Sequence, residues 1–468
     1  MGGSIVGASA ALFLAARGIT PVLVEKHPAV STRPRAKLFY PRTMETYRSM
    51  GADQDVYAVQ RSLPPADHAA VVTSLAGPEV RRRPLPAAQD VSDVSPCPSA
   101  FVKEADLEEV VRAHARAAGA DLRFGHRFRH LEQYDDHVVA HVLDPAGDPY
   151  TVRAVYLLAA DGNSSTIREG LGIGRSGSEA VAHVMEIGFT ADLRQILEGR
   201  RLALARTDLP ERAFISWDTA HDRGTVSVRY DPAVVDPATM SDTERCRDAV
   251  SRALGLPASR CTVTGTRPWQ MGGWVADSYR TGRVFLLGDA AHVTPPTGGF
   301  GANTGIQDAW NLTSKLVSVL RGDAGPGLLD DYGPERRAVG ALTVEQALLR
   351  LRDRAEAPAD APPAQRGGSG DRLPLPHARR RSGSRSAGGG RAGPVARRAR
   401  HPAAAHLPHR PLRRPLDPRS GPRRPPSAAR RSRRTPLGTG RARGGSTCMP
   451  PANTTAALAE AMRPTPEK

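Results

Sequence analysis

From Ile5 to Arg17 small and apolar residues recur at helical spacing, with Ala8, Leu12 and Ala15 on one face. Gly18 follows as the residue that ends the helix. Pro21-Val22-Leu23-Val24 then reads as a short buried strand closing at Glu25. A glycine turn, a helix and a strand in this order make the second half of a βαβ unit. The strand that should precede the turn has no counterpart, because Met1 stands directly before Gly2. A parallel sheet without its central strand leaves unpaired backbone on both neighbours. The expectation is therefore a gene start further upstream, one route being an internal Val codon read as Met1.

Further along, Ala105–Ala118 is helical, Ala120–Phe124 a strand, and Val152–Ala159 a strand running into Asp161-Gly162. Residues 180–275 alternate, as in Thr225–Tyr230, where every second side chain is apolar or aromatic. That period predicts a half-exposed sheet of antiparallel type forming a second layer. Arg283–Leu287 is another buried strand, and an amphipathic helix spans Ala302–Leu320 with Ile306, Ala309, Leu312, Leu316 and Leu320 inward. The pattern predicts an α/β fold: a Rossmann-like parallel sheet lacking its first strand, with an inserted mixed β-sheet domain as the second layer. The expected boundaries are 1–175 and 276–355 for the two parts of the dinucleotide-binding domain and its following helices, and 176–275 for the sheet.

Composition changes the picture after residue 350. Residues 351–468 hold 26 Lys and Arg against 7 Asp and Glu, 19 Pro, and no Phe, Trp, Tyr or Ile. The formal charge of +17 therefore comes from the tail, and the remainder gives no reason to expect nucleic acid. Such a tail buries too little apolar surface to offset chain entropy of about 1–2 kcal/mol per residue, so 356–448 is expected to be disordered. An Arg-rich arm for nucleic acid is one alternative. A GC-rich gene read out of frame is preferred, because ordinary protein returns in 449–468 with a short helix over Thr455–Met462. Cys97, Cys246, Cys261 and Cys448 fit no metal-ligand spacing. No metal is expected, and the cysteines suit a reduced, cytoplasmic chain. No run of eighteen apolar residues predicts a membrane span.

Three motifs carry chemistry. Gly2-Gly3-Ser4-Ile5-Val6-Gly7 is a variant phosphate-binding turn. Gly2 allows the tight bend, Ser4 a close backbone approach, Gly7 helix packing, and Glu25 lies where a ribose hydroxyl would be held. Tyr156–Arg168 runs a buried strand into Asp161-Gly162 and a polar turn. Gly288-Asp289-Ala290-Ala291-His292, then Pro295-Pro296 and Gly298–Ala309, is the decisive segment. A strand delivers Asp289 to accept a hydrogen bond from a polyol, and the glycine loop brings bare backbone to a flat ligand. The helix behind it points its positive end at that ligand.

With these motifs in this order, the chain resembles the class A flavoprotein monooxygenases of the p-hydroxybenzoate hydroxylase fold, especially polyketide and phenol hydroxylases. The resemblance covers residue 2 to about residue 350. It implies FAD as cofactor, with Gly2, Ser4 and Gly7 on the pyrophosphate, Glu25 on the adenosine ribose and Arg35 beside flavin and diphosphate. It also implies Asp161 and Gly162 for FAD and NAD(P)H positioning and Asp289 for the ribityl chain. Pro296, Gly298, Gly299, Gly301, Ala302 and Asn303 would line the isoalloxazine. Glu104 departs from the family, which has Gln there. The family often carries a thioredoxin-like C-terminal domain, which 356–448 does not resemble.

The implied reaction is hydroxylation of a small aromatic substrate by NAD(P)H and O2 through a C4a-hydroperoxyflavin. Phe214, Trp217 and Tyr230 are candidate substrate contacts, each equally suited to core packing. His292 suits a structural hydrogen bond, and no catalytic base is identifiable. Two competing readings are a flavin oxidoreductase or epoxidase on another substrate class, and a frame-damaged relative that holds no flavin.

Overall fold

The computed structural model describes residues 1–31, 35–62, 66–85, 90–208, 212–218 and 222–356. All fall in the first of the chain's two units, Met1–Arg381. The expectations for the arginine-rich segment and for the helix over Thr455–Met462 lie outside the described residues.

The opening turn leads into α1 (Ile5–Ala15) and β1 (Val22–Glu25). Gly18 takes φ +76° between them, where a side chain would be strained. β2 (Leu38–Phe39), α2 (Pro41–Arg48), α3 (Asp53–Arg61), β3 (His68–Val72) and β4 (Glu79–Pro84) follow. Next come β5 (Ala100–Phe101), α4 (Glu104–Ala117), β6 (Asp121–Phe124), β7 (Arg127–Gln133), β8 (Val138–Leu143), β9 (Pro149–Ala154), β10 (Leu157–Ala159) and α5 (Thr166–Gly170).

β1 pairs in parallel with β6. Between β1 and β10 lies the backbone of Met1 and Gly2: Gly2 N–H donates to Val24 at 2.9 Å, Ala160 N–H to Met1 at 2.8 Å, and the terminal ammonium to Leu158 at 2.7 Å. These two residues thus make the hydrogen bonds of a central strand from one end. The continuous strand expected over Val152–Ala159 is in fact two. β9 joins an antiparallel sheet with β7 and β8, whereas β10 belongs to the parallel layer. The chain breaks pairing at Val155 and Tyr156 to change sheets, which a continuous apolar run does not signal.

The second layer uses β11 (Arg175–Thr190), α6 (Arg194–Leu197), β12 (Leu202–Thr207), β13 (Phe214–Trp217), β14 (Arg223–Tyr230), α7 (Pro237–Met240), α8 (Thr243–Leu254) and β15 (Thr262–Ala276). β16 (Arg280–Thr281), β17 (Val284–Leu286), β18 (His292–Val293), α9 (Phe300–Leu320) and α10 (Tyr332–Glu356) complete the described chain. The large sheet runs β18-β15-β11-β14-β13-β12-β3-β4. It is mixed, because β12 and β3 are parallel while the other pairs are antiparallel. It therefore recruits β3, β4 and β18 from outside residues 176–275. Met185, Ile187, Phe189, Ile215 and Val226 on one face form a core with Cys246, Val250 and Leu254 of α8. Val184 and Met271 on the opposite face pack with Leu351 of α10.

α1 is buried on every side, from Ala8 to Ala15, between α4 and α9. The predicted inward stripe of α9 holds at Ile306, Ala309, Leu312 and Leu316, but Leu320 is 38% exposed. It belongs to the last turn, where the helix runs past the layer it covers. Among the described residues no helix is long and apolar enough to cross a membrane.

Candidate cofactor cleft

The opening turn is built by exclusion of side chains. A Cβ on Gly2 would stand 2.1 Å from the Ala160 carbonyl oxygen, and one on Gly7 only 1.9 Å from the Gly2 carbonyl oxygen. Gly2 has φ +94°. At the end of β1, Glu25 accepts from Gly3 N–H at 2.6 Å and from His27 N–H at 2.8 Å. At the N-terminus of α1, Glu108 accepts from Ile5 N–H at 2.9 Å and from the Ser4 hydroxyl at 2.5 Å. Arg35 donates to Ser4 at 2.6 Å and pairs with Glu104 at 3.2 Å and Glu108 at 3.4 Å. Burial raises the Glu104 carboxyl above its usual range, opposed by Arg35.

The Asp161-Gly162 turn closes the next edge. Asp161 accepts from the Ser165 hydroxyl at 2.6 Å, and Ser165 caps α5 by accepting from Arg168 N–H at 3.0 Å. Gly162 has φ +88°. Arg168, 2% exposed, donates to the carbonyls of Asn163 at 3.0 Å and Ala290 at 3.4 Å. It thereby stitches this turn to the Gly288-Asp289 segment, with its guanidinium 4.8 Å from the Trp274 ring.

β17 delivers that segment. Asp289 is exposed, yet the protein packed around it raises its carboxyl, with His292 and Arg35 acting to lower it. Fully buried Asp308 accepts from His292 at 2.7 Å, Arg336 at 2.6 Å and Gly288 N–H at 3.2 Å. Arg336 and His292 hold its carboxyl below the usual range despite burial.

In the glycine loop, Gly298 (φ +96°) and Gly299 (φ +69°) set the entry to α9. Pro296 is exposed, and Gly298, Gly299, Gly301 and Ala302 are half-buried. Asn303 differs from the expectation that it lines a ring. It is 3% exposed and its amide is saturated by protein. Its oxygen accepts from Tyr40 N–H and the Thr43 hydroxyl at 2.9 and 2.7 Å, and its nitrogen donates to Leu38 and Gly299 at 2.9 and 2.8 Å. Its place is to lock β2 against the loop.

The substrate candidates separate. Trp217 (6% exposed) and Tyr230 lie on the α8 face, while Phe214 (40% exposed) lies on the face of Val184. That second face carries Ser216, Thr225 and Ser227 beside Phe214, and α10 ties it to the glycine loop through Thr297, whose hydroxyl donates to Ala347 at 2.6 Å. Lys37 was not anticipated. It lines a cavity of about 700 Å³ with Lys103, Trp217 and Asp218, donating to the Trp217 carbonyl at 2.9 Å. Burial and the neighbouring Lys103 push its ammonium down to about 8. Arg168, Asp308 and Arg336 were legible only as charges at helical positions. A buried charge has no sequence signature until its partners are known.

An acid at a strand end and two glycine turns feeding helix N-termini define a dinucleotide-binding α/β fold. The chain belongs to the FAD-binding-domain family, whose profile matches residues 1–347. Its cofactor is FAD, and the residues fit it: glycines that admit backbone where a Cβ would clash, a positive helix end, and a carboxylate open to the cleft. It is 39% identical over 374 residues to tetracenomycin A2 monooxygenase-dioxygenase of Streptomyces glaucescens, covering 75% of this chain and 66% of that protein. It is 37% identical to aklavinone 12-hydroxylase of Streptomyces purpurascens, covering 74% and 67%. The chain thus spans about two thirds of the length of these relatives. The crystal structure of aklavinone-11 hydroxylase with FAD and aklavinone aligns with TM-score 0.71 and 35% identity over 75% of this chain and 68% of that one. The rebeccamycin biosynthetic enzyme RebC with reduced flavin aligns with TM-score 0.68 and 34% identity, covering 77% and 70%.

Proposed function

We propose that this protein is an FAD-dependent monooxygenase that hydroxylates an aromatic, polyketide-like substrate with NAD(P)H and O2. The observation that carries the reading is the packing of the glycine turns on one another: Gly288 and Gly305 close on Val6 of α1, which sets the Asp289 segment beside the opening turn. FAD, when bound, supplies the redox chemistry: it accepts hydride from NAD(P)H and activates O2 for transfer to an electron-rich ring carbon.

The chain's own residues hold and shield. Gly2, Ser4 and Gly7 with the α1 N-terminus receive the diphosphate, Arg35 neutralises it, and Glu25 serves the adenosine ribose. Asp289 accepts from the ribityl hydroxyls. Pro296, Gly298, Gly299, Gly301 and Ala302 offer backbone and small surface to the ring, with Asn303 fixing the loop. The positive end of α9 stabilises negative charge by about 0.3–1 kcal/mol when exposed and up to about 2 kcal/mol when partly buried. A substrate ring lies on the sheet face of Phe214, with Ser216 and Ser227 for its hydroxyls. Beside Asp161-Gly162, a cavity of about 620 Å³ lined by Asn163, Arg175, Arg267, Trp269 and Trp274 suits a nicotinamide nucleotide through cationic and aromatic groups.

The test is reconstitution with FAD, followed by NADPH consumption and product mass with phenolic polyketides. The wild-type chain is expected to bind flavin and add one oxygen, and Asp289→Ala to lose flavin by at least tenfold. A colourless protein that refuses FAD, or flavin binding indifferent to Asp289→Ala, overturns the reading of the site. Flavin binding with a product lacking added oxygen overturns the reaction.

A further inference from the structure

We propose that the outer face of the β7–β8 hairpin binds a divalent transition-metal ion, Zn2+ by its chemistry, through His130, Glu132 and His141. Antiparallel register sets His130 directly opposite His141, and Glu132, two residues along β7, shares their face. The imidazole rings stack with centroids 4.0 Å apart and planes at 13°. The Nε2 of His141 lies 3.0 Å from a Glu132 oxygen, and one ligand atom from each of the three residues falls within 4.8 Å of the others. A tetrahedral Zn2+ holds nitrogen and oxygen ligands at about 2.0–2.2 Å, hence roughly 3.4 Å from one another. Small rotations of these side chains therefore close the triangle around one ion.

The donor set selects the metal. Two imidazoles and a carboxylate suit Zn2+, Cu2+ or Ni2+, whereas Mg2+ and Ca2+ require a shell of oxygens. The carboxylate is also oriented from behind. Its second oxygen accepts from the Tyr134 hydroxyl at 2.6 Å, the outer-shell partner that metal-binding carboxylates use. Partial exposure of the three residues leaves a fourth position for water. Ordinary surface histidines would not need a fixed carboxylate converging on the same point.

Sequence spacing does not announce the site, because register across a hairpin creates it. The site lies outside the cofactor cleft, so its role is structural. Gln133, next to Glu132, accepts from Arg283 N–H at 2.9 Å, and the Arg283 side chain donates to the Asp135 carbonyl at 2.7 Å. The hairpin thereby braces the approach to β17, the strand that delivers Asp289. An ion linking β7 to β8 would stiffen that brace.

The experiment strips the full chain with EDTA and titrates Zn2+ against a chromophoric chelator, then Co2+ for its visible absorption. Wild type is expected to bind at micromolar affinity and gain thermal stability with Zn2+. His130→Ala and His141→Ala should each weaken binding by at least tenfold, and Tyr134→Phe by a few-fold, with flavin content unchanged. His141→Gln, which keeps shape and polarity, repeats the test should His141→Ala misfold. Binding and Zn2+-induced stabilisation that persist unchanged in His141→Gln, or no Zn2+ binding by wild type at tenfold molar excess, overturn the proposal.

Discussion

Two glycine turns feed helices that pack on one another, α1 and α9, yet they are held in opposite ways. The loop before α9 is locked from beneath by neutral and paired groups: Asn303 spends all four amide positions on protein, and Asp308 joins His292 and Arg336 in a fully buried set. The turn before α1 is governed by charge at the cleft itself, where Arg35, 41% exposed, shares Ser4, Glu104 and Glu108. The first arrangement fixes shape before any ligand arrives. The second leaves a cation that, in the proposed function, protein carboxylates and a diphosphate would share. Rigidity and charge tuning are thus assigned to different ends of one site.

The comparison breaks most sharply at Asp308. Replacing it with Ala leaves Arg336 and His292 buried without their anion, a loss of about 3–5 kcal/mol for one partner of a buried pair. Denaturant unfolding should show it, and the loop should lose flavin with it. Because the native carboxyl is held down by Arg336 and His292, its stabilisation is complete above the usual carboxylate range and disappears as pH falls through the lowered native value. Wild type should lose this increment on acidification and Asp308→Ala should not. Equal stability of the two proteins at neutral pH would show that the loop is not locked from below.

Gly7→Ala tests the other turn by shape rather than charge. A methyl group there meets the Gly2 carbonyl oxygen at 1.9 Å, so α1 must shift. The cost should reach about 1–3 kcal/mol by overpacking, and FAD retention should fall with it. Retention of flavin at the wild-type level in the purified Gly7→Ala protein would mean that helix packing does not set the turn.

Legibility follows the same division. The glycine turns were readable because positive φ and close backbone approach demand glycine at fixed spacings. The helix stripe of α9 was readable because 3.6-residue periodicity records burial, and it failed only at Leu320, where the buried layer ends. Asp308, Arg336 and Arg168 were not readable as an anchoring set, since their partners lie up to 122 residues away. The break between β9 and β10 escaped because apolar positions continue from Ala154 through Ala159, and pairing partners rather than composition part the two strands. Trp217 and Phe214 looked equivalent until the register put them on opposite faces of β13.

Lys37 gives a smaller, pH-resolved test at the seam between the two layers. Its ammonium is pushed from 10.5 to about 8, so the unfolded chain holds the proton more tightly. Stability therefore rises as pH climbs from about 8 towards 10.5. Lys37→Met removes the cost of a buried charge, and should stabilise the protein at pH 7 by on the order of 1–3 kcal/mol, less the Trp217 hydrogen bond it forfeits. The gain should shrink at higher pH. Thermal melts at pH 7 and 10 decide it, and a gain that does not depend on pH would assign the effect to packing alone.

The finest adjustment is at Glu104. Its carboxyl is buried, raised by that burial, and within 3.2 Å of Arg35, the cation proposed to meet the diphosphate. Glu104→Gln keeps the volume and the hydrogen bond from Ala36 N–H while removing one competitor for the guanidinium. FAD should bind a few-fold more tightly, a gain of about 0.5–1 kcal/mol, and the advantage should narrow as salt screens the exposed arginine. Equilibrium titration of apoprotein with FAD at two ionic strengths measures both. Weaker binding in Glu104→Gln would show that this carboxylate positions Arg35 for the diphosphate instead of competing for it, and the contrast between a locked loop and a charge-tuned turn would have to be redrawn.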